Sequence, residues 1–196
     1  MSNGPLTTVR EAALKQRLIG VLRSRLVQKI DFYIGYMHIN GAGYLRVADA
    51  VAKGSIKLFV GGVPAGAAAA FYPAGRFFRF PGGTYGLNAG DQADMVHEST
   101  HALRALTYTR QAMMLITHTQ NEAAAYVADA LYTLYIGSSN SSFEPIFIKA
   151  FQIAQSIKDI PGAVVSPQDE ANLRAFIAFH PVYSNAGKTY TSISDT

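Results

Sequence analysis

The residues best suited to chemistry form the pattern His97-Glu98-x-x-His101. Side chains four residues apart lie one turn apart on the same face of an α-helix, so the two imidazoles can converge on one metal ion. Imidazole nitrogen is a preferred ligand of Zn²⁺ in proteins. Glu98 lies about 100° around the helix from His97, which separates its carboxylate from the ligand positions. The pattern therefore predicts a zinc-dependent hydrolase, most readily a peptidase.

A helix over residues 91–106 would carry this pattern. Asn88 or Asp91 can cap its N-terminus, Asp91 and Asp94 suit the first turns of a helix dipole, and no proline interrupts it. Small side chains would let a second helix approach the metal closely. Those on this helix are Ser99, Thr100, Ala102 and Ala105.

A catalytic zinc has three protein ligands and a water, so a further ligand is required. Cysteine is absent from the chain. The other histidines and the nearest acidic residues are His38, His118, His180, Glu122 and Asp129. Glu122 is preferred because it begins an alanine-rich helix, predicted over residues 121–135, that can pack closely. His118 shares a helix face with Glu122 only if that helix starts early, and it is retained as an alternative ligand or a substrate contact.

These residues resemble the zincin metallopeptidases, in particular the gluzincin branch that includes thermolysin. That family carries His-Glu-x-x-His on one helix and a glutamate, often in Asn-Glu, on a following helix; here the second part is Asn121-Glu122. The resemblance implies that His97, His101 and Glu122 bind one Zn²⁺ per chain and that Glu98 acts on the metal-bound water. It also implies a peptide or protein substrate.

The fold implied is α+β and zincin-like, mainly helical, with a small twisted sheet whose edge strand precedes the active-site helix. The clear match covers residues 91–134. Upstream, residues 67–72 and 76–80 fit a β-hairpin with a turn at 73–75. In zincins an extended peptide pairs with the edge strand beside the zinc, and such pairing recognises the peptide backbone. Core packing explains the aromatic residues of this segment equally well.

The chain departs from the family at one position. Thermolysin-like proteins have an aspartate one turn after the glutamate ligand, where it orients a histidine ligand, whereas this chain has Tyr126. Asp94 and Asp129 are left as alternatives for the carboxylate that fixes a histidine tautomer, or as solvated helix residues. The group that stabilises the transition state, a tyrosine or histidine in the family, is left open among Tyr126, His180 and Tyr183.

Composition limits the other functions. A chain of 196 residues, 49% of them hydrophobic, can bury a core, and we expect one domain over residues 1–196. The net charge is +4, but the basic excess lies on a helix predicted over residues 8–34, where a solvated face explains it, so we expect no nucleic-acid partner. These residues are Arg10, Lys15, Arg17, Arg23, Arg25 and Lys29. The lack of cysteine excludes a cysteine nucleophile.

No apolar run reaches about 18 residues and no stretch resembles a signal peptide, so we expect neither a membrane span nor a visible export signal. The location expected is then the cytoplasm, or delivery as an effector. Further elements are predicted from periodicity and capping residues. They are a helix over 44–53 ended by Gly54, a strand over 56–60, an extended piece over 84–87, a loop over 137–142, helices over 144–158 and 166–179, and a loosely ordered end over 184–196.

Three alternatives to the cytoplasmic peptidase remain at this stage. The first is a zincin-like domain without activity, whose metal is absent or structural, with His118 or Asp129 as a fourth ligand. The second is an effector or toxin peptidase, either secreted or delivered as the end of a larger polypeptide. The third is hydrolysis of another amide, such as a peptidoglycan crosslink.

Overall fold

Helices dominate the structure, a computed structural model that describes residues 5–109, 111–112, 115–138 and 144–186. The helices are α1 (Pro5–Leu22), α2 (Gly41–Lys53), α3 (Ala89–Thr107), α4 (His118–Tyr135), α5 (Pro145–Ile157), α6 (Pro167–Phe179) and α7 (Pro181–Ala186). The strands are β1 (Asp31–Ile34), β2 (Met37–Asn40), β3 (Lys57–Val60), β4 (Ala70–Tyr72), β5 (Phe77–Phe80) and β6 (Ala163–Val164). None of the helices in the described ranges is long and apolar enough to cross a membrane.

The strands form two sheets of three. In the first, with strand order β2-β1-β6, β1 pairs antiparallel with β2 and parallel with β6. In the second, with order β3-β5-β4, β5 pairs parallel with β3 and antiparallel with β4. The predicted hairpin is confirmed, and β4 is an edge strand that packs against α3. The α+β class with a predominance of helix is confirmed, the first sheet was not predicted, and the likeness to the zincin fold stays a prediction.

The helix predicted over residues 8–34 is wrong beyond Leu22, where α1 ends. The Gln28 side chain donates a hydrogen bond to the Leu22 carbonyl at 2.9 Å, which satisfies a helix-end acceptor while the chain turns through a short 3₁₀ segment. Beyond the turn the burial alternates, with Phe32 and Ile34 buried. Alternation of this kind suits a strand with one face on the core.

The extended piece predicted over residues 84–87 is also wrong, because this segment is a turn. The Arg17 guanidinium donates hydrogen bonds to the carbonyls of Gly83 and Tyr85 at 3.0 and 2.6 Å. Gly86 has φ of +85°, and a Cβ there would lie 2.5 Å from the Met95 side chain. The turn is therefore held against α1 and leads directly into α3.

The basic residues of α1, and Arg23 just after it, contact other elements of the fold. Lys15 donates to the Ala52 carbonyl at 3.0 Å, and Arg23 forms an ion pair of 2.7 Å with Asp49. Together with the two hydrogen bonds of Arg17, these contacts use the basic side chains to tether α1 to α2 and to the turn before α3.

The other predicted elements are present with shifted ends. Gly54 ends α2 in the left-handed conformation at φ 78°, as predicted, and Asn40 caps its start by accepting from the Gly43 N–H. The strand predicted over 56–60 is β3, and α5 lies within the predicted 144–158. Helix α6 begins after the predicted cap, Ser166. Residues 184–186, in the end expected to be loosely ordered, belong to α7. Residues 187–196 and most of the loop predicted over 137–142 lie outside the described residues.

The contact between α2 and α3 is unusually close at Gly43. A Cβ at this position would collide with the Leu103 side chain, with its Cγ at 2.8 Å. Replacement of Gly43 by Ala should therefore lower the free energy of unfolding by about 1–3 kcal/mol, since overpacking forces the helices apart.

Gly20 in α1 is the matched control, because nothing lies within 4 Å of a Cβ built there. Gly20→Ala should raise the free energy of unfolding by up to about 1 kcal/mol through helix propensity. Urea denaturation of both variants measures the difference. Equal stabilisation by the two changes would show that α2 and α3 are not in such close contact.

Candidate metal centre

Helix α3 presents the His-Glu pattern on the side that packs against α4. Asn88 caps the helix by accepting from the Asp91 N–H at 2.8 Å. The opposite side packs on α2, where the Tyr44 hydroxyl shares a hydrogen bond of 2.7 Å with the Thr100 hydroxyl. The buried residues of α3 are Ala93, Met95, Val96, Ser99, Thr100, Ala102 and Leu103. This packing fixes the rotation of α3 and hence the direction of its histidines.

The predicted side chains come together on α3. The rings of His97 and His101 are 5.0 Å apart between centroids and nearly perpendicular, at 81°. One ligand atom from each of His97, Glu98 and His101 can be chosen so that all lie within 4.8 Å of one another. The four-residue spacing thus produces a cluster that could hold a metal ion.

Helix α4 adds Glu122 to this cluster. Its Oε2 lies 3.5 Å from His97 Nε2, and its Oε1 lies 3.4 Å from His101 Nε2. All three side chains are nearly buried, with exposed fractions of 12%, 13% and 8% for His97, His101 and Glu122. Alanines on the same helix permit its close approach to α3. They are Ala123, Ala124, Ala125 and Ala128, all fully buried.

These distances fit metal ligation. Two ligands about 2.1 Å from a tetrahedral Zn²⁺ are separated by about 3.4 Å. A charge-assisted N–H···O hydrogen bond is shorter, at about 2.7–2.9 Å. Two imidazole nitrogens and one carboxylate are also a donor set that Zn²⁺ accepts at catalytic sites. The residues present therefore fit a zinc ion by donor chemistry, and each Glu122 oxygen lies at the spacing expected from one histidine nitrogen.

Asn121 is a partner of His101 to which the sequence analysis assigned no role. Its side-chain amide nitrogen lies 2.7 Å from His101 Nδ1, while no hydrogen-bond partner for its buried Oδ1 is found among the described residues. Amide nitrogen and oxygen are assigned from the hydrogen-bond network, and rotating the amide by 180° lets Oδ1 accept from Nδ1–H. That bond would leave the lone pair of Nε2 directed at the metal.

Asp94 and Asp129, the two carboxylates considered for this orienting role, act on His97 through charge. Asp94 accepts a hydrogen bond of 2.5 Å from the Tyr85 hydroxyl, and burial raises the pKa of Asp94. Asp129 accepts from the Thr133 hydroxyl at 3.3 Å, and burial raises the pKa of Asp129 to about 6. Both therefore lie near His97 without a hydrogen bond to it.

Glu98 is held at the edge of the second sheet. Its Oε2 accepts a hydrogen bond of 2.7 Å from the backbone N–H of Phe71 in β4. Burial raises the pKa of Glu98, against the opposing charges of His101 and His97. The backbone of β4, which side-chain patterns could not reveal, thus fixes the position of this carboxylate.

Two tyrosines lie beside Glu122. The hydroxyls of Tyr126 and Tyr183 share a hydrogen bond of 2.6 Å. Burial and, after it, the charge of the nearby Glu122 carboxylate raise the pKa of Tyr183. The Tyr126 ring packs edge-on against His97 with centroids 4.8 Å apart. Two of the three side chains considered for transition-state stabilisation are therefore near the cluster.

The remaining histidines divide between the site and the rest of the fold. Because α4 starts at His118, His118 Nδ1 lies 3.8 Å from Glu122 Oε1, with the side chain half exposed. His180 Nε2 instead lies 3.4 Å from a Glu144 carboxylate oxygen. His38 belongs to the first sheet, where it pairs with Asp31 at 2.7 Å.

In the metal-free protein a proton on His97 supplies the positive charge beside Glu122. Burial alone would lower the pKa of His97, but the hydrogen bond with Glu122 and the charges of Glu98 and Glu122 outweigh it and raise the pKa of His97 to about 9. Burial would raise the pKa of Glu122, but the charge of His101 and the contact with His97 lower it to about 2. The cluster therefore favours a positively charged partner for the Glu122 carboxylate.

Comparisons of the chain with protein-family models, with curated proteins and with solved structures find no match in any of the three.

Asn121 provides a test of the orienting hydrogen bond. Asn121→Leu removes the acceptor for His101 Nδ1–H and should weaken zinc binding by about 10–100-fold, the range found for partners of metal-bound histidines. Asn121→Asp keeps an acceptor and should retain tight binding. Competition with a chelating indicator measures both affinities. Equal zinc affinity in the Leu variant and the wild type would contradict the role given to Asn121.

The pairing of His97 with Glu122 predicts a pH effect in the metal-free protein. The pKa of His97 rises from 6.5 to about 9 on folding. Its stabilising contribution should therefore be complete below pH 6.5 and be lost as the pH rises through 9. Glu122→Gln should lower the pKa of His97, which an NMR titration of the imidazole measures. A pKa of His97 that is the same in both proteins would rule the pairing out.

Proposed function

We propose that this protein is a zinc-dependent metallopeptidase in which His97, His101 and Glu122 hold one Zn²⁺ and Glu98 is the general base. The observation that carries the proposal is the separation of 3.4–3.5 Å between the Glu122 oxygens and the two Nε2 atoms. Three buried ligands on two packed helices leave one position of a tetrahedral ion for water, as in catalytic zinc sites.

A Zn²⁺ in this position would lower the pKa of a bound water towards ~7 and polarise a scissile carbonyl. Glu98 has the proton-transfer role: it accepts a proton from the attacking water and passes it to the leaving amine. Its raised pKa suits both steps, because a general acid-base group works best when its pKa is near the operating pH. A carboxylate oxygen of Glu98 lies within 4.8 Å of a ligand nitrogen of each histidine, within reach of a water held there, and the Phe71 N–H holds its Oε2.

The edge strand β4 supports a peptide as the substrate. It has β5 as its neighbour in the sheet, and Glu98 contacts it from α3. An extended peptide can pair with a sheet edge through its backbone, which suits an enzyme that acts on peptide bonds in different sequence contexts.

The surroundings of the cluster favour an open site over a closed structural one. His118, a possible fourth ligand, is half exposed and is 3.8 Å from Glu122. Asp129, the other possible fourth ligand, is bonded to Thr133. We therefore propose water, and neither of these side chains, as the fourth ligand, as catalysis requires.

The roles of Glu98 and His101 can be separated experimentally. Glu98→Gln should retain one zinc per chain but reduce hydrolysis of unfolded casein by about 10²-fold or more, because it removes the proton acceptor. His101→Ala should lose zinc and activity together. Metal analysis and a peptidase assay, with and without a chelator, measure these effects.

Glu11→Gln is the matched control, since Glu11 lies outside the cluster, where it accepts from the Val60 N–H. This variant should keep both zinc and activity. Turnover by Glu98→Gln at the wild-type rate, or a wild-type chain that takes up no zinc at neutral pH, would refute the proposal.

A further inference from the structure

Helix α7 contacts the α4 side of the cluster. The Tyr183 hydroxyl shares a hydrogen bond of 2.6 Å with that of Tyr126. The Tyr183 ring also lies 5.8 Å from the ring of His118, whose Nδ1 is 3.8 Å from Glu122 Oε1. One residue of α7 therefore contacts two side chains that lie beside a candidate zinc ligand.

The preceding residue, Val182, lies near the segment that joins β3 to β4. A Cβ built on Gly66 would lie 3.9 Å from Val182 Cγ2. Gly66 belongs to the segment that joins β3 to β4, and β4 is the edge strand that holds Glu98 through Phe71. Val182 and Tyr183, adjacent in sequence, thus connect the segment before the edge strand to the ligand helix.

We propose that α7 is a strap between the segment before β4 and helix α4, and that metal ions and substrates reach the cluster freely only when α7 moves away. The effect on substrates rests on the proposed peptidase function. The effect on metal exchange requires only that the cluster binds zinc.

The connection to α6 suits such a movement. Helix α6 ends at Phe179, His180 is extended at φ −71° and ψ 134°, and Pro181 begins α7. A single residue therefore separates the two helices, and its conformation is the one favoured before proline. Val182 remains 44% exposed, so its contact buries little apolar surface, and segments held by few buried contacts open at low free energy.

A disulfide can test the strap because the chain contains no cysteine. In the double variant Gly66→Cys/Val182→Cys, the Cβ position of Gly66 is 3.9 Å from where Val182 Cγ2 lies, which brings the two cysteines near the Cβ separation of about 3.5–4.5 Å that a disulfide requires. The zinc-loaded protein is mixed with a chelator, and zinc loss is followed before and after reduction with a phosphine. Hydrolysis of unfolded casein is measured in parallel.

The oxidised form should lose zinc and cleave casein at about one tenth of the rates of the reduced form, or more slowly still. Reduction should restore both rates, as expected when a lid controls access. The single variants Gly66→Cys and Val182→Cys are the controls and should not respond to the reductant. They also report any strain from placing a side chain at Gly66, whose φ is +83°.

A second variant opens the strap without a crosslink. Val182→Asp places a charge against the segment at Gly66 and should speed zinc loss, whereas Val164→Asp, at an exposed position in β6, should not.

The outcomes separate the two proposals. Zinc that binds but leaves the oxidised and reduced forms at the same rate overturns the strap alone. Cysteines that do not crosslink on oxidation also overturn it, because the contact would then be absent. A chain that binds no zinc in either form overturns the metallopeptidase and the strap together.

Discussion

The Glu122 carboxylate lies almost buried between the Nε2 atoms of His97 and His101, and the packing of α3 against α4 depends on how its charge is balanced. An ionised carboxylate away from water is costly unless a positive partner lies beside it. In the metal-free protein the partner is a proton on His97, whose pKa rises to about 9. A divalent cation would supply more positive charge at the same place, and this charge balance supports the proposed metal site.

The rest of the fold keeps the ligands in this arrangement. Helix α2 packs closely on the back of α3 at Gly43, and the Tyr44 hydroxyl bonds to Thr100. The turn before α3 is held by Arg17, and the edge strand β4 holds Glu98 through the Phe71 N–H. Elements distant in sequence thus set the rotation of α3 and the position of the Glu98 carboxylate.

Much of the cluster could be predicted from sequence because its parts are local. The spacing of the histidines and the cap at Asn88 are properties of one helix, whereas the start of α4 at His118 depends on a capping box formed by Thr117 and Gln120. The hydrogen bond of Asn121 to His101 could not be predicted, since it requires the relative position of two helices. The first sheet was missed for a related reason: its short strands gain stability from pairing rather than from a strong local pattern.

X-ray absorption spectroscopy of the zinc-loaded protein, together with metal analysis, directly tests whether the two histidines and Glu122 bind zinc. We predict one zinc per chain, bound by two imidazole nitrogens with oxygen as the remaining ligands, and loss of that signal in His97→Ala/His101→Ala. Zinc that binds equally to this double variant, or a wild-type spectrum without imidazole ligands, would contradict it.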